Sequence, residues 1–307
     1  LQKRCFINQR KVKVMGNCKI GSSPSLFRCF IFEIRAKTRI LQQAFLFQKR
    51  WMENAGQLRY SFAAKAYSAE AQMKINCVWE HNGNDSILYA DNYAGAFTRG
   101  ASLEEAIQKM PEEIRRFRLW RNETPLYDYD IEITQEKESE LQIRDADSDV
   151  LFLSEEEPLR VEEYQCLKAL AMKSAVDFYA LYSSFFDKHK SALPYRKTFY
   201  GSVPRTAEEM YQHTKNVNEY YFSEIGVEAD NEGTIVSCRA RGFEALEATA
   251  GYLSLETVTG SYDEEWSVRK VLRRFIWHDR IHAKAMYRMG ILTFGADAIP
   301  DIFGFSR

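Results

Sequence analysis

His278 and His282 stand four residues apart in the stretch WSVRKVLRRFIWHDRIHAKAMYRM, and a third histidine, His213, lies in EEMYQHTKNVNEYYF. Side chains four apart on a helix lie one above the other on the same face. Two imidazoles so placed grip one divalent ion when a neighbouring helix supplies the rest of the shell. Three neutral imidazoles suit a borderline divalent ion and leave coordination positions open. Such an ion lowers the pKa of bound water or stabilises a thiolate, making a nucleophile at neutral pH.

The elements that must carry these rings are amphipathic helices. Val268, Val271, Phe275, His278, His282, Met286 and Met289 step by threes and fours, so both histidines of the pair fall on an apolar seam. Met210, His213, Val217, Tyr220 and Glu224 repeat the pattern, which turns His213 inward too. A single buried histidine ordinarily just hydrogen-bonds a carbonyl or carboxylate. Two at this spacing, with a third on a second seam, favour a metal. The remaining two, His81 and His189, sit among polar residues near turns and are expected at the surface.

Asp279 and Arg280 point away from the face of the pair, and a structural salt bridge suits them better than catalysis. His278-Asp279-x-x-His282 has the outline of the zincin motif, but no Glu or His follows His282, and Asp297 and Asp301 are the only carboxylates downstream. A metalloprotease is therefore rejected. No residue is marked as the general base. Cys5, Cys18, Cys29, Cys77, Cys166 and Cys238 are scattered without a CxxC pair and read as reduced thiols of a cytoplasmic protein. Spacing gives no reason to prefer Cys166 or Cys238 as a further ligand.

Four helical patterns follow Pro158. Their seams are Tyr164 to Phe185, residues 206–225, Phe243 to Leu253, and residues 263–289, which predicts a four-helix bundle with a longer loop after its first helix. Thr206 with Glu209 forms a capping box at the second. Ahead of them, residues 73–122 read as a small α/β unit: the strand MKINCVWE, a polar turn, two more extended segments, and a helix capped by Ser102 with Glu105 three residues on. Pro111 is expected to kink or divide that helix. In residues 123–158 the runs IEITQ, ELQIR and VLFLS alternate like strands.

Charge is split along the chain. Residues 1–72 hold fourteen Lys/Arg against three Asp/Glu, a net +11, whereas residues 73–307 hold 28 against 40, a net −12. A body so acidic repels phosphate backbones, so nucleic-acid binding by it is not expected. No period persists in residues 1–72, and the run SLFRCFIFEI is far too short to span a bilayer. This segment reads as upstream read-through or a dispensable extension, and a basic, acid-poor targeting peptide is the alternative.

Two resemblances add to this reading. YAGAFTRGASLEEAI resembles the HicB-like family through Gly95, Gly100, Ser102, Leu103, Glu105 and Ala106. That family comprises small, partly ribonuclease-H-like modules of antitoxins, although the usual DNA-binding partner domain has no counterpart here. The helix order of residues 159–290, with His213 on the second helix and His278 and His282 on the fourth, resembles the DinB-like family, which includes bacillithiol and mycothiol transferase relatives. This second resemblance implies a four-helix bundle holding a divalent ion, commonly nickel or zinc, on His213, His278 and His282. It further implies a small thiol or other small-molecule substrate.

The expected architecture is thus α+β. It comprises a basic extension (1–72), a HicB-like domain with an acidic extended segment (73–157) and a DinB-like bundle (158–307). Three functions stay open: a metal-dependent thiol transferase or hydrolase, a non-catalytic binding or regulatory protein acting through the HicB-like unit, and a structural bundle whose histidines satisfy one another.

Overall fold

A computed structural model describes residues 73–125, 129–198 and 201–306. The expectation for residues 1–72 lies outside them. The fold is mixed α+β. Strand β1 (Met73–His81) pairs antiparallel with β2 (Ser86–Ala90), which pairs antiparallel with β3 (Phe97–Gly100). Helix α1 (Leu103–Trp120) then crosses back, so that β4 (Tyr129–Glu138) lies parallel to β1 and the sheet order is β3-β2-β1-β4. β2 is buried along its whole length, whereas β4, at the sheet edge, alternates between half-buried and exposed residues.

Helix α1 starts as its sequence dictates, since the Ser102 hydroxyl accepts from the Glu105 amide. The reciprocal bond goes one residue further back, from the Ala101 amide to the Glu105 carboxylate. The helix runs through Pro111 undivided.

Only the first of the three alternating runs in 123–158 becomes a strand. ELQIR and VLFLS instead form an irregular strap with single helical turns at Ile143–Asp145 and Leu153–Glu155. The alternation is real, but it serves packing. Ile143, Val150 and Phe152 plug into a cluster with Val78, Ile87, Tyr89, Phe97 and Trp277.

The helices follow as α2 (Val161–Ser184), α3 (Ala207–Lys215), α4 (Val217–Ser223), α5 (Ile235–Ala248) and α6 (Val268–Phe294). Two short ribbons intervene: β5 (Lys197–Thr198) with β6 (Gly201–Ser202), and β7 (Val258–Thr259) with β8 (Glu265–Trp266). The pattern over 206–225 predicted one helix, but it breaks at Asn216, which caps both α3 and α4. The third helix ends at Ala248, so Ala250 and Leu253 of its expected seam lie beyond it. The fourth starts at Val268, after β8, instead of at residue 263.

Sheet and helices share one apolar core. Ile75, Leu88 and Phe117 from the N-terminal part join Tyr164, Phe178, Phe222, Phe243, Phe275 and Met286 in a single buried cluster. All described residues belong to one compact unit. The division expected at 157/158 is therefore a change of secondary structure inside a common core. Among the described residues, no helix is long and apolar enough to cross a membrane.

Candidate metal centre

Helix α6 carries two of the three candidate ligands, and the Ser267 hydroxyl fixes its start by accepting from the Lys270 amide at 3.2 Å. From Val268 to Arg280 nearly every side chain is buried, polar ones included. An amphipathic pattern cannot reveal this, because the helix is surrounded on most faces. The third ligand comes from α3, whose start is fixed by a capping box. The Glu209 amide donates to Thr206 Oγ1 at 3.1 Å, and the Thr206 amide donates to the Glu209 carboxylate at 3.2 Å. Ala207, Met210, Tyr211 and Thr214 form the buried face of α3, and His213 stands half-buried at its margin.

These elements bring His213, His278 and His282 together. One donor nitrogen from each ring lies within 4.8 Å of the others. The ring centroids are 4.4 Å apart for His278 and His282, 4.6 Å for His213 and His282, and 5.3 Å for His213 and His278. His278 is 7 % exposed, whereas the other two are half-buried. Tyr221 of α4 meets the His278 ring edge-on at 6.0 Å.

Burial holds all three imidazoles in the neutral, metal-binding form. It lowers the pKa of His213, and it pushes His278 and His282 well below the usual histidine range. Repulsion by His282 and His213 adds to this at His278, where the charges of Arg274 and Arg239 add a smaller part, and repulsion by His213 adds to it at His282.

The rings fit a divalent ion. No hydrogen bond joins them to one another, and the buried Nδ1 of His278 has no partner at all. A buried polar atom in that state calls for an ion or a water to satisfy it. Ligands held at about 2.0–2.1 Å from one ion stand roughly 3 Å apart, so small side-chain rotations close the gap. Three imidazoles make a borderline-soft donor set of the kind that zinc and nickel accept. No carboxylate or cysteine among the described residues joins the group. Cys238 is buried, with its thiol 3.5 Å from the Ile235 carbonyl, and Cys166 is exposed.

Asp279 and Arg280 form salt bridges, as their sequence position predicted, and both bridges are buried. Asp279 receives Arg239 Nη1 at 2.8 Å and Nη2 at 3.1 Å, and accepts the Ser174 hydroxyl at 2.5 Å. Arg280 donates to Glu113 at 2.6 Å and to the Gly95 carbonyl at 3.2 Å. Of the other histidines, His189 is exposed. His81 is half-buried, stacked on Trp79 at 3.9 Å and paired with Glu136 at 3.0 Å.

Two charged residues near the centre escaped the sequence reading. Arg239 on α5 gives no signal, since its only cue is a buried partner on another helix. Arg274 had one, because it stands four residues before His278 on the same face of α6. No family model matches the chain, and no curated protein and no solved structure matches it either.

Proposed function

We propose that the chain is a divalent-metal protein of the DinB-like kind, whose three-histidine centre serves a thiol-transfer or hydrolytic reaction on a small molecule. The observation that carries this reading is the convergence of His213 on the His278/His282 pair, with all three rings neutral and none bonded to another. A structural trio of histidines would satisfy its own nitrogens, whereas the buried Nδ1 of His278 has no partner. In this reading His213, His278 and His282 hold nickel or zinc, which when bound supplies a Lewis acid able to keep a thiol or water deprotonated. Asp279, clamped by Arg239 and Ser174, fixes the stretch of α6 between the two ligands. Tyr221 of α4 packs edge-on against the ring of His278 and covers one side of it. Cys77, Cys166 and Cys238 are free thiols, which suits the reducing cytoplasm. The HicB-like likeness of residues 73–122 belongs to this proposal as a covering element, because that part shares a core with the helices.

The test is the metal content of the tagless full chain, measured by mass spectrometry. A stoichiometric nickel or zinc content is expected, lost in His278→Ala and His213→Ala and kept in the exposed control His189→Ala. Unchanged metal in His278→Ala would refute the assignment. Binding to a protein partner that survives loss of all three histidines would favour the non-catalytic alternative.

A further inference from the structure

Helix α6 is crowded with cations, and among those that are not exposed a carboxylate partner is the rule, with one exception. Arg269 pairs with Glu163, Lys270 with Glu264 at 2.9 Å, Arg273 with Glu155 and Arg280 with Glu113 at 2.6 Å. Arg239, which packs against the helix from α5, pairs with Asp279. Arg274 has no carboxylate partner among the described residues. Its Nη1 donates to the Ser148 carbonyl at 2.7 Å, and the Tyr221 hydroxyl is a further hydrogen-bond neighbour. Its Nε is buried and unpartnered.

The surroundings of this guanidinium are aromatic. Its carbon lies 5.0 Å from the Trp277 ring, 5.5 Å from Tyr221 and 5.7 Å from Trp266. The indole N–H groups of Trp277 and Trp266 are themselves buried without partners. Glu264 and Glu80 are within electrostatic reach, but Lys270 holds the first. The second accepts from Ser148 and from the Asp149 amide. This packed cation, set among π faces, a carbonyl, the Tyr221 hydroxyl and two carboxylates already engaged by other groups, has no carboxylate of its own.

Arg274 also stands in the right place. Residues 274, 278 and 282 follow one another at successive turns on one face of α6. His213, His282 and Arg274 are the half-buried members of the group, while His278, Trp266 and Trp277 are buried. The cation and the three imidazoles therefore border the same side of the helix.

We propose that Arg274 is a substrate-binding residue of this centre and that the substrate carries a carboxylate, which its guanidinium receives beside the three histidines. A guanidinium with a free Nε edge matches a planar carboxylate through two parallel hydrogen bonds, which an ammonium cannot reproduce. This inference rests on the metal-centre reading above and names the substrate class for it.

The experiment uses the full chain loaded with cobalt, whose visible spectrum reports the histidine site. Two small thiols serve as probes, mercaptopropionate and the uncharged mercaptoethanol, each titrated through the thiolate-to-cobalt absorption band. The carboxylated thiol should bind roughly tenfold tighter. Arg274→Gln should abolish that preference while the cobalt stoichiometry stays unchanged. Arg274→Lys, which keeps the charge and loses the fork, should retain only part of it, and it serves as the test if the glutamine variant fails to fold. Equal affinities in the parent protein, or an intact preference in either variant, would overturn the proposal. Failure to take up cobalt removes the metal reading and this inference with it, whereas cobalt uptake without a carboxylate preference removes this inference alone.

Discussion

Replacing Asp279 by Ala removes one partner from an ion pair in which both side chains are fully buried. Arg239 then keeps its charge with a single carbonyl contact, to Ala171 at 3.3 Å, and the face of Phe275 at 3.9 Å. Breaking a buried pair on one side costs about 3–5 kcal/mol, because the remaining charge stays desolvated. The Ser174 hydroxyl loses its acceptor as well, but it also donates to the Ala171 carbonyl at 3.0 Å, so this adds little. Urea unfolding of the chelator-treated full chain should therefore show a loss of about 3–5 kcal/mol. The double variant Asp279→Ala, Arg239→Met removes both charges and should recover a large part of that loss. A loss below about 1 kcal/mol for the single variant, or costs that simply add in the double one, would refute the account of Asp279 as a charge clamp.

Metal-free protein should lose stability as the pH falls below the ordinary histidine value of 6.5. The folded-state values are lowered, so the unfolded chain binds more protons in that window and each ring contributes a slope of up to about 1.4 kcal/mol per pH unit. Unfolding of the chelator-treated chain at a series of pH values checks this, and the slope should flatten in a His278→Ala, His282→Ala double variant. Gly95→Ala should destabilise by roughly 2–5 kcal/mol in the same urea assay. Its φ is +96°, and an added Cβ would stand 2.3 Å from Cγ2 of Ile276 on α6. Residues 158–307 produced alone should lack a sharp unfolding transition in calorimetry, since Arg273 and Arg280 would lose Glu155 and Glu113. A cooperative transition matching that of the full chain would contradict the shared core.

The convergence of the three histidines was legible because the rings repeat at helical spacing on apolar seams, and spacing is what a sequence displays. The starts of α1 and α3 were legible through the caps Ser102 and Thr206, whereas α5 begins at Ile235, ahead of its expected seam, and α6 at Val268, later than expected. The break at Asn216 was hidden, since Met210, Val217 and Tyr220 keep step across it. What interrupts the helix is polar: Asn218 is buried two residues on, donating to the carbonyls of Asp230 at 2.8 Å and Cys238 at 3.2 Å. The strap was misread because alternation looks alike whether a segment pairs with a strand or not. Its backbone is satisfied otherwise, for the carbonyls of Ser148, Asp149 and Val150 each take a cation from α6. Of those cations, Lys270 and Arg273 occupy positions where a periodic reading places solvent.

The division of the ligands between two helices has a kinetic consequence. His278 and His282 are presented by one long helix anchored on most of its faces, so two of the three candidate ligands stand ready before any ion would arrive. His213 belongs to a nine-residue helix that ends at the Asn216 break. Capture would proceed in two stages, a rapid grip by the pair and a slower locking step as α3 settles onto the ion. Departure would run in reverse, so the residence time of the ion would be set by how often α3 lifts away and not by the strength of the two bonds on α6.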